Sequence, residues 1–218
     1  MELQLHTIFP SEIGPEWNNL LAESNIHVPF LRHEYLQAWW NTRGGGEWSK
    51  EARLVIVTAR ENQSLVGIAP FFYVPEWQGM ACLMLLGSIE ISDYLDVLAK
   101  PEKLQTFLNE LLPFLAQPHP EIPAWQRLDL YNILDSSPTL PALETAAQQL
   151  NWKYQVEQLQ HSPYIPLTGD WETYLAGIDK KQRHEIRRKM RNACRRSRGG
   201  VLRVDRRRRR ISRAGIRG

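Results

Sequence analysis

Cysteine is scarce in this 218-residue chain: Cys82 and Cys194 stand far apart, with no second cysteine or paired histidine beside either. Neither a C-x-x-C pair nor an H-E-x-x-H spacing occurs, which argues against a structural zinc site. Six histidines are scattered singly, at His6, His27, His33, His119, His161 and His184. Each reads as a surface or locally satisfied residue rather than a ligand. Long apolar runs are missing too. Met80 to Leu86 is the longest, far below the roughly twenty residues that span a bilayer. The start, Met1-Glu-Leu-Gln-Leu-His6, has neither the basic nor the apolar region of a signal peptide. A soluble, reduced, cytoplasmic protein without a transmembrane segment is therefore expected. Nucleophile elbow, P-loop and G-x-G-x-x-G patterns are absent as well.

Positive charge is sparse in most of the chain and concentrated at its end. Met1 to Ile178 holds nine Lys and Arg against 21 Asp and Glu, a net of −12. Asp179 to Gly218 holds 18 against three, a net of +15. The whole-chain charge of +3 describes neither part. With 43% hydrophobic residues, the acidic part is long enough to bury a sizeable core.

Hydrophobic periodicity divides that part into strand-like and helix-like pieces. Leu3 to Ile8 alternates as a half-buried strand does. Pro15 opens a helix carrying Trp17, Leu20 and Leu21. A second helical pattern after Pro29 carries Phe30, Tyr35, Leu36, Trp39 and Trp40 and stops at Gly44-Gly45-Gly46. Core packing is the favoured reading of this aromatic stripe over ligand stacking. Leu54–Ala59 and Leu65–Val74 flank the polar turn Glu61-Asn62-Gln63-Ser64, an antiparallel hairpin signal. Pro70 predicts a bulge or an unpaired edge inside the second strand. Cys82–Leu86 reads as a buried strand, Tyr94–Leu98 as another, and Pro101 starts a helix with Leu104, Phe107, Leu108, Leu111 and Leu112 on one face. A strand at Arg127–Tyr131, a helix at Pro141–Leu150 and a strand around Trp152–Val156 follow. The order is that of a mixed α/β domain.

Asp170 predicts an N-cap, with Glu172 in the first turn of one long helix. Its apolar edge is Tyr174, Ile178, Ile186 and Met190, and its remaining surface is cationic. Arg183, Arg187 and Arg191 are spaced four apart on one face; Lys181, His184 and Arg188 form a second. Such rows suit the phosphates of a coenzyme, nucleotide or nucleic acid. A solvated interdomain helix, with cations complementing the acidic body, accounts for them equally well. Beyond Ala193 the chain is rich in Arg and Gly, with Arg206 to Arg210 consecutive. Such a segment cannot bury a core and is expected to be disordered.

Asp93-Tyr94-Leu95-Asp96 follows a buried strand and a Gly87-containing loop, where functional side chains project from sheets. A carboxylate there serves as a general base or holds a substrate amine. The alternative is a turn cap at Asp93 and a solvated strand residue at Asp96.

Taken in order, several pieces resemble a known family. They are Trp17-x-x-Leu20, Pro29-Phe30, Trp39-Trp40, Leu65 to Phe71, Leu86-Gly87, Asp93-Tyr94-Leu-Asp96, Trp171-x-x-Tyr174-Leu175 and Lys181-x-Arg183-x-Glu185-Ile186-Arg187-Arg188. The ordered set resembles the N-terminal half of bacterial GNAT-superfamily acyltransferases, in the branch labelled cellulose-biosynthesis (CelD-like) acetyltransferase, itself similar to FemAB-type peptidyltransferases. The resemblance runs from about Trp17 to Ala193. It implies a GNAT-like α/β fold, with a mainly antiparallel sheet flanked by helices, over residues 1–168. A basic interdomain helix over 169–193 and the Arg-rich tail over 194–218 complete the expected organisation. The activity it implies is transfer of an acyl group from acyl-CoA to an amine, on a small-molecule or cell-envelope or polysaccharide-related acceptor. The amine would be held neutral beside the thioester, with backbone N–H groups on the developing oxyanion.

The site candidates read from the residues themselves are Asp93, Tyr94 and Asp96 for catalysis, and Lys181, Arg183, Arg187 and Arg188 for phosphate or substrate. The nearest approach to the family's pyrophosphate loop, Arg196-Ser-Arg-Gly199-Gly-Val201, fails at its last position, so no acyl-CoA-binding residue is carried over. About another hundred and fifty residues would be expected for a second domain, and the Arg/Gly/Ser-rich ending has the composition of an out-of-frame reading. A truncated chain, inactive alone, is the expectation. The alternative is a nucleic-acid-binding protein with an acidic body and an Arg-rich arm. The acidity of the body and its lack of a recognition motif weigh against it, and the basic pI is not itself a nucleic-acid signal.

Overall fold

The computed structural model describes residues 1–24, 26–161, 163, 165, 167 and 169–197, side chains included except in 194–197. The chain falls into two compact units, Met1–Leu159 and a second from Gln160 onward. The expected disordered tail lies outside the described residues from 198 on.

The first unit is a six-stranded mixed sheet with helices, and it bears out the mainly antiparallel α/β class. Its strands are β1 (Glu2–His6), β2 (Arg53–Glu61), β3 (Ser64–Trp77), β4 (Met80–Leu85), β5 (Leu98–Ala99) and β6 (Arg127–Asp129). Their order is β1-β2-β3-β4-β6, with β5 on β3. All pairings are antiparallel except β4 with β6, whose parallel register sets Cys82 against Arg127 and Met84 against Asp129. A parallel neighbour needs a crossover. Between β4 and β6 the chain supplies β5 and helix α3 (Leu104–Ala116), whose apolar stripe Leu104, Phe107, Leu108, Leu111, Leu112 and Leu115 is buried. Helices α1 (Gly14–Glu23), α2 (His33–Gly46) and α4 (Thr139–Gln149) complete the unit.

The β2–β3 hairpin turns as its sequence predicts, with Asn62 and Gln63 at φ of 50° and 66°, the left-handed pair of a tight hairpin. The aromatic stripe is core. Trp39, Trp40 and Trp48 all pack on the Phe72 ring, at centroid distances of 5.3, 6.3 and 5.2 Å. Phe30 lies before the helix in a 3-10 turn, Pro29–Leu31, and α2 ends as Arg43, Gly44 and Gly45 turn left-handed.

Four local expectations need correction. Of the two outcomes expected at Pro70 the bulge does not occur, since Pro70 pairs in register with Ile56 and the irregularity falls at Ala59/Arg60, whereas the edge facing away from β2 is without a ladder partner there. On the other side, β3 changes partner at Pro70, between Gly67–Ile68 on β5 and Phe71 onward on β4. A residue without an N–H costs least there, while its carbonyl still accepts from Leu86 at 2.8 Å. The strand expected at Tyr94–Leu98 shrinks to Leu98–Ala99, since Tyr94 sits at φ 58°, outside the β region. Trp152–Val156 alternates like a strand yet is assigned to none, and no backbone bond between it and β6 occurs among the described residues. Its first half is held differently: the Trp152 N–H donates to the Ala147 carbonyl, the Trp152 ring meets Trp125 edge-on, and the Tyr154 hydroxyl donates to the Leu140 carbonyl.

The fourth correction concerns the second unit, where the single long helix is two. Helix α5 (Trp171–Gly177) and helix α6 (Lys180–Ser197) are separated by an extended Ile178 at φ −95°, ψ 160°. Asp170 caps α5 as expected, accepting from the Thr173 N–H at 2.8 Å. Asp179 does the same for α6, accepting from Lys181 and Gln182 at 2.7 and 3.2 Å.

Candidate functional site

The loop from Leu86 to Asp96, between β4 and β5, contains all three carboxylate-loop candidates. Gly87 opens it at φ 104°, and a Cβ there would come within 2.7 Å of the Leu95 side chain. Only glycine combines that backbone with that approach. Four side chains from outside then hold the loop. Trp48 donates its indole N–H to the Ser88 carbonyl at 2.7 Å, and the Glu47 carboxylate accepts from the Ile89 N–H at 3.2 Å. Tyr35 and Ser92 share a hydroxyl bond of 2.8 Å. The Asn132 side-chain amide donates to the carbonyls of Ile89 and Ser92, while the Asn132 backbone carbonyl accepts from the Leu95 N–H. A loop tied at both backbone ends and in the middle has little conformational entropy left to lose on binding.

Asp93 and Asp96, three residues apart, are separated by this arrangement. Asp93 is exposed and Tyr94 half-buried, whereas Asp96 is only 2% exposed. The Asp96 carboxylate accepts from the Val97 N–H at 2.8 Å and from the Ser137 hydroxyl at 2.5 Å. Ser137 in turn accepts from the Thr139 N–H at 3.2 Å, so the network ends on the first turn of α4. Burial pushes the Asp96 pKa up, against hydrogen bonds from Ser137, Thr139 and Val97 that favour the charged form. Beside it lies a cavity of about 10 Å³, lined by Ser24, Ile26, Asp96, Leu104 and Thr139 among others. That is room for about one water molecule and no substrate. Glu47 is likewise raised, first by desolvation and also by the nearby Glu90 charge, against the N–H bonds of Ile89 and Glu90.

The structure therefore leaves Asp93 available, turns Asp96 into an internal fastening, and adds residues that sequence reasoning missed: Tyr35, Glu47, Trp48, Asn132 and Ser137. No spacing rule connects positions 35, 47, 132 and 137 to a loop at 86–96. The one local hint is Asn132, an asparagine held at φ 63° just past a strand.

In the second unit the cationic candidates divide by partner. Arg183 donates to the carbonyls of Ala176 and Ile178 at 3.2 and 3.0 Å, closing the end of α5. Arg187 pairs with Glu172 of α5. Arg188 pairs within α6, with Glu185, whose carboxylate its guanidinium holds below the usual range. Lys181 is exposed, and its side chain has no partner among the described residues. No group of three or more metal-ligating side chains gathers among the described residues, nor is any described helix long and apolar enough to cross a membrane.

No family model matches the sequence, and no curated protein matches it either. Among solved structures, a Trypanosoma brucei acetyltransferase overlaps with a TM-score of 0.43 at 16% identity, over 74% of this chain and 100% of that one.

Proposed function

We propose that residues 1–197 form the acceptor side of an N-acyltransferase, of the CelD-like kind that the sequence resembles, acting on an amine with an acyl-CoA donor. What carries the reading beyond the ordered motifs is the loop after β4. It is rigidly held, follows the central strands of a sheet, and presents two solvent-facing carboxylates, Glu90 and Asp93, the second of them beside Tyr94. An ammonium group pairs with such a carboxylate, which then accepts a proton as the amine becomes nucleophilic. Asp96 is a positioning residue in this scheme, fastening the loop to α4. The thioester's own binding groups lie outside the described residues in this reading, since no pyrophosphate loop can be assigned within them.

Calorimetry with a panel of small primary amines and amino sugars tests it. Binding of one class with 1:1 stoichiometry, weakened at least tenfold in Asp93→Asn, is the expected result, with no heat from acetyl-CoA alone. Stoichiometric acetyl-CoA binding would reject the division into acceptor and donor sides. Failure of every amine to bind would reject the reading as a whole.

A further inference from the structure

The sequence leaves two cationic rows on α6 without a choice between them; in the structure Arg183 and Arg187 of the first row are taken up by α5, while Arg191, the third of that row, stands free with the second row and Lys180. At 3.6 residues per turn, Lys180, Lys181, His184, Arg188 and Arg191 fall within about 100° of arc along about 16 Å of helix. All five are exposed. Lys180, Lys181, His184 and Arg191 have no side-chain partner among the described residues, and Arg188 keeps an exposed guanidinium on Glu185, with 59% of its side chain in solvent. The neighbouring arc holds Arg183 and Arg187, both committed to α5, with Ile186 and Met190. The commitment has a mechanical consequence. Arg183 closes the end of α5 and Arg187 ties the two helices together, so the free row is carried on a braced helix rather than on a lone one.

We propose that this outward row is a docking surface for the phosphodiester backbone of nucleic acid, independent of the acyl-transfer reading. Charge complementarity carries the choice of partner. The arc is wholly polar, with no apolar side chain to insert into a lipid surface. A duplex carries one charge per about 1.7 Å of axis, dense enough to meet every cation of a 16 Å row. The contact is to phosphates and reads no sequence, because long flexible Lys and Arg side chains on one straight face reach backbone oxygens without entering a groove.

The test uses the full chain, a fluorescent 20-base-pair duplex of arbitrary sequence, and affinities measured from 50 to 300 mM salt. Each neutralised phosphate contributes roughly 0.9 to the slope of log K against log salt. Lys181→Gln combined with Arg191→Gln is therefore expected to lower that slope by about 1.8, while Arg183→Gln leaves it unchanged. Glutamine preserves helix propensity at these exposed positions, and circular dichroism confirms that the variants keep their helices. An unchanged slope in the double variant overturns the proposal, since binding would then reside in the Arg-rich residues that follow. Absence of duplex binding overturns it too. Equal, variant-sensitive binding to phosphatidylserine vesicles would replace it with a membrane surface.

Discussion

Phe72 in the first unit and Arg183 in the second both join elements that the chain presents separately, and they do so by different physics. Phe72 gathers Trp39, Trp40 and Trp48 against the sheet by burying aromatic surface. Arg183 joins α5 to α6 by donating to carbonyls that the end of α5 leaves unpaired. Apolar burial does not depend on ionic strength at moderate salt, whereas exposed ion pairs weaken as the Debye length falls from about 10 Å at 0.1 M to about 3 Å at 1 M. The aromatic cluster of the first unit therefore holds by excluding water, and the joint between α5 and α6 by charged groups that water still reaches.

Four changes break or sharpen this contrast. Phe72→Ala removes the ring on which three tryptophans converge and is expected to cost about 3–5 kcal/mol. Urea unfolding followed by tryptophan fluorescence measures it, and a cost under about 1 kcal/mol would show that the cluster does not hold the unit. Gly87→Ala adds a Cβ against Leu95 on a left-handed backbone, at a cost of about 1–3 kcal/mol. Hydrogen exchange should localise the loosening to the loop at 86–96 and leave the β2–β3 hairpin protected.

Asp96→Asn probes the charge hidden in the first unit. Burial holds this carboxyl above the ordinary aspartate pKa, so the folded chain binds the proton more tightly than the unfolded one. Its stabilising contribution is fully present below the unfolded pKa, near 3.9, and is lost as pH rises through the folded value. The urea midpoint of the Asn variant should therefore gain on that of the natural chain from about pH 4 upward. A difference that does not vary with pH would refute the assignment. Smallest of the four is Glu172→Gln, which removes the partner of Arg187. Exposed pairs contribute about 0.2–1 kcal/mol, and the loss in helicity at 0.1 M salt should disappear at 1 M.

Much of the first unit was legible because its signals are local. Asn62 and Gln63 turn the hairpin within four residues, and the leucines of α3 mark one face of a single helix. Two of the failures share a cause, a partner distant in sequence. Trp152–Val156 has the alternation of a strand, but a strand exists only where another backbone pairs with it. In sequence Asp96 reads as a functional carboxylate or a solvated strand residue, until Ser137 and α4 close over it. The break at Ile178 was visible in part, since Gly177, a helix-ending residue, and Asp179, a cap residue, flank it. The regular spacing of Tyr174, Ile178, Ile186 and Met190 concealed it.

By itself the sequence determined the mixed α/β class, the aromatic core and the concentration of positive charge beyond Asp179, because composition and short-range periodicity suffice for each. Only the tertiary structure decided which carboxylate of the Asp93–Asp96 pair faces water and which cations of α6 are free. Both choices turn on burial and on hydrogen-bond partners from other elements, Ser137 for Asp96 and the carbonyls and carboxylate of α5 for Arg183 and Arg187. No spacing within a single element can express such a contact.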